Sequence, residues 1–301
     1  MQTEGAVAGT GSPIAQAADP TGSRRRETGA TSARSLLLTV LGEFARLRGV
    51  PIWTATLVSA LGALGVEEKA ARQALARTAA EGVLEAGRVG RRTRWTLSAP
   101  GERLLADGAG RIYGFMREQP RWDGRWIVLA VTVPETRRQL RHRLRTRLMW
   151  AGLGSPAPGL WVVPDPSRLD EVVGIVEDLG IGDSAMCWVG PVALVGDPAS
   201  IVRAAWPLAD VEAAYHEFVA RFSGRSVAGR GLAGLQAAFV AQVELVQAWR
   251  RFPFLDPALP AELLDRDWPG PRAAAVFLRQ HQAWHRRAQA HWQRLCGDAE
   301  G

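Results

Sequence analysis

Apolar residues return every three to four positions along 32–47, "SARSLLLTVLGEFARL", so that Leu36, Leu37, Val40, Leu41, Phe44 and Leu47 share one face. The spacing predicts one amphipathic helix, with Ser32 or Ser35 available to cap its start. Pro51 breaks the pattern. The stretch "PIWTATLVSALGALG" then predicts a second helix capped by Thr54, with Leu57, Val58, Leu61 and Leu64 on one side and an end near Gly65. The next stretch, "EEKAARQALARTAAEG" (67–82), opens on acids and closes on Gly82, as a third helix should. At about 100° per residue, Ala71, Ala74, Leu75, Thr78 and Ala79 fall on its core side. Lys69, Arg72, Gln73, Ala76, Arg77 and Ala80 fall opposite, where small alanines separate the cations and the amide. Two short extended segments follow, "VLEAGRV" and "TRWTLS", and predict a hairpin turning at Gly90 with Arg88, Arg91, Arg92 and Arg94 around its tip.

From 122 onward the pattern changes. "RWIVLAVTV" predicts a buried strand, 135–150 a helix with Leu140, Leu144 and Leu148 one turn apart, and "GLWVVP" another strand. "SRLDEVVGIVEDLG" predicts a helix and "SAMCWVGPVAL" a final strand. This order fits the β-α-β-β-α-β pattern of a ferredoxin-like domain, with "GLWVVP" as its second strand, although the third strand leaves no visible signal. Helices are predicted over 205–222, 231–251 and 271–296, with the Pro-rich connection "FPFLDPALP" between the last two. The fold class is therefore α+β and multidomain. It comprises a tail over 1–33 expected to be disordered, a helix-turn-helix unit with a basic ribbon over 34–121, a ferredoxin-like domain over 122–200 and an all-helical domain over 201–301.

Charge sharpens this division. The net charge of +7 is unevenly spread. Residues 34–125 carry fourteen arginines and Lys69 against nine acids, a balance of +6, and 126–154 carry six arginines against Glu135, a balance of +5. Residues 155–301 balance at −4, with thirteen arginines against seventeen acids. The basic part is a candidate face for a polyanion and the acidic part an ordinary protein surface. Cys187 and Cys296 have no paired spacing, which suits a reducing, cytoplasmic setting better than a secreted disulfide framework. The longest apolar run, 126–133, is far shorter than the ~20 residues of a membrane span, so no membrane role is expected.

Three helices followed by a basic hairpin is the layout of a winged helix-turn-helix, in which the last helix enters the major groove and flanking elements touch phosphates. Lys69, Arg72, Gln73 and Arg77 are the candidates for base edges; Arg88, Arg91, Arg92 and Arg94 are candidates for the backbone or an adjacent minor groove. Thr54, opening the second helix, joins the DNA-binding set. The segment "GVEEKAARQALARTAAEGVLEAGRVGRRTRWTLSAPGERLL" resembles the winged-helix part of the PaaX family, repressors of phenylacetate-degradation operons. The likeness continues through "WDGRWIVLAV", "GLGSPAPGLWVVP" and, most specifically, "RRFPFLDPALPAELLDRDWPG". It implies a cytoplasmic, homodimeric repressor on a palindromic operator in double-stranded DNA, released by an acyl-CoA effector such as phenylacetyl-CoA. The family's ferredoxin-like domain is associated with dimerisation. A winged-helix regulator of another pathway, a binder of RNA or protein, and a nuclease or thioesterase are the rival readings.

Other chemistry is sparse. Trp249, Phe252, Phe254 and Trp268 could line an aryl-binding pocket, although aromatic residues commonly form plain core. The helix "ETRRQLRHRLRTRLMW" carries Arg137, Arg138, Arg141, Arg143, Arg145 and Arg147, read as a solvated face beside the Leu140 stripe. "HQAWH" sets His281 and His285 one turn apart, the only metal-like spacing. Gln282 stands where a metalloprotease needs its glutamate, and no third ligand is evident beyond distant His291 or Cys296, so a solvated helix face is expected there. No nucleophile elbow or phosphate loop is present, and neither an enzyme nor a cofactor nor a metal is expected.

Overall fold

A computed structural model of the chain describes residues 32–46, 49–116, 121–191 and 197–299. Residues 1–31 of the expected tail and 192–194 of the expected last strand lie outside that set. Helix α1 (Ala33–Val40) is capped by Ser32, whose hydroxyl accepts from the Ser35 amide. The single helix expected over 32–47 is not uniform. Beyond Val40 the chain widens into a π-helical turn, Leu41–Ala45, closed by the Arg46 amide donating to the Leu41 carbonyl at 2.9 Å. An apolar stripe cannot distinguish α from π winding over one turn, since both keep Leu41 and Phe44 buried.

Strand β1 (Ile52–Trp53) leads into α2 (Thr54–Ala63) and α3 (Glu68–Ala80). The cap expected at Thr54 is instead the extended Trp53, and Thr54 is the first helical residue. Strands β2 (Leu84–Val89) and β3 (Arg92–Leu97) form the expected hairpin, with Val89 opposite Arg92. The two-residue turn puts Gly90 at φ 58, a left-handed position that glycine occupies without steric cost. β1 adds to the hairpin through β3, in the order β1-β3-β2. Helix α4 (Ala99–Gly114) had no counterpart in the sequence reading, because Gly101, Gly108 and Gly110 dilute its apolar face; Ser98 caps it.

The central unit holds β4 (Arg125–Val131), α5 (Arg138–Trp150), β5 (Gly154–Ala157), β6 (Leu160–Val163), α6 (Leu169–Asp178) and β7 (Ala185–Pro191). Its sheet is antiparallel throughout, in the order β5-β6-β4-β7. The strand without a visible signal is β5, "GSPA", and it is the second strand of the pattern, which makes "GLWVVP" the third and corrects the expected order. It is a bulged edge strand that carries a proline and no alternating apolar residues, so no period-2 pattern could betray it. Ile127, Leu129 and Val131 of β4 pack with Leu144 and Leu148 of α5 and with Val172 and Ile175 of α6 on one side of the sheet. Trp126 and Val162 meet Val202 and Trp206 on the other.

The helix expected over 205–222 begins after Pro207, as α8 (Leu208–Phe222), and is preceded by α7 (Pro198–Ala205), which the sequence pattern does not predict. The expected boundary at 200 and 201 falls within α7. Trp206 closes over β5, donating from its indole to the Gly152 carbonyl at 3.3 Å. Helices α9 (Gly231–Trp249) and α11 (Gly270–Asp298) run side by side, joined through the short α10 (Phe252–Leu255). The first unit is not isolated from them. Leu37, Phe44, Leu57 and Leu75 share one buried cluster with Phe239, Val243, Trp292 and Leu295.

A Cβ on Gly154 would stand 2.5 Å from Trp206 Cε2 and 2.8 Å from the Ala205 methyl, so the absence of a side chain there lets α7 dock on β5. Gly154→Ala is expected to cost about 1–3 kcal/mol of stability through overpacking. Gly182→Ala, whose Cβ would meet no atom within 4 Å, is expected to leave the denaturant midpoint unchanged.

Candidate nucleic-acid interface

Helix α3 is two-faced. Ala71, Ala74, Leu75 and Thr78 are buried, and the Thr78 hydroxyl donates to the Ala74 carbonyl at 2.7 Å. Lys69, Arg72, Gln73, Ala76 and Arg77 are exposed, as their spacing predicts. Glu68, Lys69, Arg72, Gln73 and Ala76 border an open concavity on this face. Arg72 donates to Glu68 one turn earlier at 2.8 Å. Both ends of that pair are well solvated, so it is worth only a few tenths of a kcal/mol and yields to a stronger partner.

The hairpin presents Arg88, Arg91, Arg92 and Arg94, all exposed. One of them is held in place by an aromatic ring. The Arg92 guanidinium lies 4.3 Å from the ring centre of Trp53, a cation–π contact worth roughly 0.5–1 kcal/mol at an exposed site. The Arg94 side chain lies against Gly87 on the neighbouring strand, where a Cβ would stand 3.5 Å from its Cγ, an ordinary contact. Trp53 was absent from the sequence set. Its strand is two residues long, too short for a period to register.

Thr54 has a different place from the one expected. Its hydroxyl donates to the Thr93 carbonyl at 3.0 Å and accepts from the Trp95 indole at 2.9 Å. Both bonds lace the hairpin to the start of α2, which commits this hydroxyl to positioning the ribbon. Thr54→Val leaves the Trp95 N–H without its partner. The substitution is expected to lower stability by about 1–3 kcal/mol and to speed amide hydrogen exchange along 92–97 while α3 amides keep their protection.

The helix α5 face is solvated as expected. Leu144 and Leu148 are buried, Arg141 pairs with Glu135 at 3.3 Å and Arg147 with Asp178 at 2.7 Å. Arg137, Arg138, Arg143 and Arg145 are exposed. Asp123, the carboxylate nearest the start of β4, is engaged by the Arg125 amide and guanidinium, whose hydrogen bonds hold its carboxyl below the usual range.

Of the four aromatics suggested for an aryl pocket, Trp249, Phe252 and Trp268 gather around Tyr215 as core, and Phe254 does not join them. Trp249 stacks on Phe277 at 4.8 Å and lies 5.2 Å from Phe252, and both Trp249 and Phe252 are fully buried. Phe254 instead points outward, 53% exposed, edge-on to Trp150 of α5. Trp268 stands edge-on to Tyr215 at 5.9 Å. Well-packed core rings leave no room for a ligand between them. A groove of about 260 Å³ does open beside this connection, between Arg121, Arg125 and Arg168 on one wall and Pro257 and Leu259 on the other.

The solvated face expected for His281 and His285 holds for His285, which is exposed, and is corrected for His281. The His281 side chain is only 20% exposed, and its Nε2 lies 2.6 Å from Oε1 of Glu43. Glu43 sits in the π-helical turn and its side chain is 4% exposed. Tyr113 and Gln242 also donate to this carboxylate. Burial alone would raise the Glu43 carboxyl, but the hydrogen bond and charge of His281, with the Tyr113 and Gln242 bonds, hold it below the ordinary value. Burial and the adjacent carboxylate push the Tyr113 hydroxyl up. No sequence spacing joins Glu43 to a histidine 238 residues away.

Three family descriptions match along the chain: the PaaX-like protein over 32–101, the PaaX protein central Cas2-like domain over 119–202 and the PaaX-like protein C-terminal domain over 206–294. The chain is 31% identical over 257 residues to the transcriptional repressor PaaX of Escherichia coli (strain K12), a match covering 83% of this chain and 80% of that protein. Its fold is similar to that of the uncharacterized protein Rv0674 from Mycobacterium tuberculosis, with a TM-score of 0.61 at 23% identity over 86% of this chain and 98% of the other. By these matches along most of its length, the chain belongs to the PaaX-like family.

Proposed function

We propose that the chain is a DNA-binding transcriptional repressor whose first unit acts as a winged helix-turn-helix. The observation that carries this reading is that α3, with Lys69, Arg72, Gln73 and Arg77 exposed, and a hairpin tip bearing Arg88, Arg91, Arg92 and Arg94 belong to one compact unit. On this reading α3 enters the major groove, where a bidentate side-chain pair supplies about 1–3 kcal/mol of base discrimination, and the hairpin arginines add salt-dependent affinity. Thr54 acts indirectly, by holding the hairpin to α2.

A homodimer on a palindromic operator follows from the same reading, with the two α3 helices about one DNA turn, roughly 34 Å, apart. Strand β7 supports pairing between copies, since it is an edge of its sheet and exposes Met186 and Trp188. The effector proposed is an acyl-CoA thioester such as phenylacetyl-CoA, acting in the cytoplasm by favouring a dimer arrangement with the wrong half-site spacing. On this reading its anionic groups would use the groove that carries Arg121, Arg125 and Arg168, where they would have to displace Asp123 from Arg125 and Asp165 from Arg168. Trp249 and Phe252 then serve as the floor of the helical core.

Quantitative mobility shifts on the chain's own promoter region and on random duplex test the division of labour. Arg72→Ala is expected to reduce the ratio of specific to random affinity by roughly tenfold, corresponding to about 1–3 kcal/mol. Arg91→Ala is expected to weaken both duplexes alike and to reduce the salt slope by about one. Equal losses on both duplexes for both variants sink the assignment of α3 as the reading helix. Phenylacetyl-CoA is expected to release the specific complex with a coupling of about 1–3 kcal/mol, and a complex indifferent to it removes the effector from the proposal.

A further inference from the structure

We propose that Glu43, His281 and His285 form a binding site for a divalent transition-metal ion of the zinc type, which clamps the first unit to helix α11. The three side chains each offer one ligand atom, and these atoms all lie within 4.8 Å of one another. His281 Nε2 is 2.6 Å and His285 Nδ1 3.9 Å from the same carboxylate oxygen, Glu43 Oε1. Spacing of four residues on α11 stacks the two imidazoles, with ring centres 5.4 Å apart and planes 28° from parallel. A pair of histidines one helical turn apart with a carboxylate from another element is a donor set that zinc accepts, leaving one position open. A donor set of two imidazole nitrogens and one carboxylate also disfavours hard ions such as magnesium, which prefer all-oxygen shells.

A second observation points to a guest at the same place. Gln242 of α9 is fully buried and directs its amide at the cluster, with Nε2 3.3 Å from His281 Nε2 and 3.2 Å from His285 Nδ1. Its Oε1 is buried without a hydrogen-bond partner among the described residues, a cost of about 1–3 kcal/mol for a neutral group. When an ion replaces the bond from Gln242 Nε2 to Glu43 Oε1, the same amide turned the other way about presents an oxygen to the point where the ligand atoms converge, which supplies a fourth donor. Tyr113 secures the second carboxylate oxygen, so Glu43 is oriented from behind as metal-bound carboxylates usually are. The π-helical turn is what brings Glu43 to this point, and such turns frequently accompany functional sites. His285, 47% exposed, leaves the site open to solvent for entry.

The inference is independent of any DNA sequence or thioester. Isothermal titration of zinc chloride into tag-free, chelator-treated chain is expected to give one saturable site. Cobalt(II) is expected to give the visible absorption of a four-coordinate nitrogen and oxygen site. His285→Ala, which removes a half-exposed ligand, is expected to keep the far-ultraviolet circular dichroism of the parent while weakening zinc by tenfold or more. His281→Ala is expected to do the same to zinc, and zinc is expected to raise the melting temperature of the parent but of neither variant. Absence of saturable zinc binding, or equal affinity in the parent and both variants, overturns the proposal. In the latter case the ion sits elsewhere on the chain.

Discussion

One carboxylate, buried where three parts of the chain meet, constrains the whole arrangement. Glu43 lies in the helix that opens the first unit; its partners are Tyr113 of α4, Gln242 of α9 and His281 of α11. Taking a charged carboxylate out of water costs several kcal/mol unless hydrogen bonds replace its hydration. Three donors do so here, and they come from three different helices. The neighbouring residue, Phe44, fills the adjoining core between Phe239 at 4.9 Å and Trp292 at 5.9 Å. Polar satisfaction and apolar packing therefore impose the same register between the first unit and α9 and α11.

That seam has a mechanical consequence. The helical region does not hang from the first unit by a linker; it forms part of its core. Further bonds reinforce the contact, from the Thr56 hydroxyl to the Leu295 carbonyl at 3.3 Å and from Gln247 to the Ser35 hydroxyl at 3.2 Å. A shift of α9 or α11 must displace α1 or α2, because close-packed interiors transmit strain rather than absorb it. The exposed face of α3 lies outside this seam, on the side turned to solvent, so its cations remain available while its buried alanines stay locked against the core. Anchorage and the exposed cations are thus divided between opposite sides of the same small unit.

The hairpin follows the same economy. Its tip arginines are solvated, but Thr54 and Trp53, both just ahead of or at the start of α2, hold its second strand and one of its cations. Because β1 is so short, its contribution comes from these two side chains more than from its ladder with β3. The central sheet is built by a different rule. Alternation along β4 sends Ile127 and Leu129 to one core and Trp126 to another, and the exposed Met186 and Trp188 on β7 mark where covering ends.

Periodicity alone determined the helices α2, α3, α5 and α11, the hairpin at Gly90 and the opposite faces of α3, because each depends on neighbours three, four or two residues apart along the chain. The long and unusual string "RRFPFLDPALPAELLDRDWPG" was enough to suggest the family. Only the tertiary structure decided what Glu43 and His281 do, since their contact spans 238 residues and has no local spacing to announce it. It also decided that Trp249 and Phe252 are core, that Thr54 braces the ribbon, and that β5 completes its sheet despite a sequence without alternation. Burial, partner and pairing are properties of the assembled chain: they arise when distant segments exclude water from one another, and no window of neighbouring residues encodes which segments those will be.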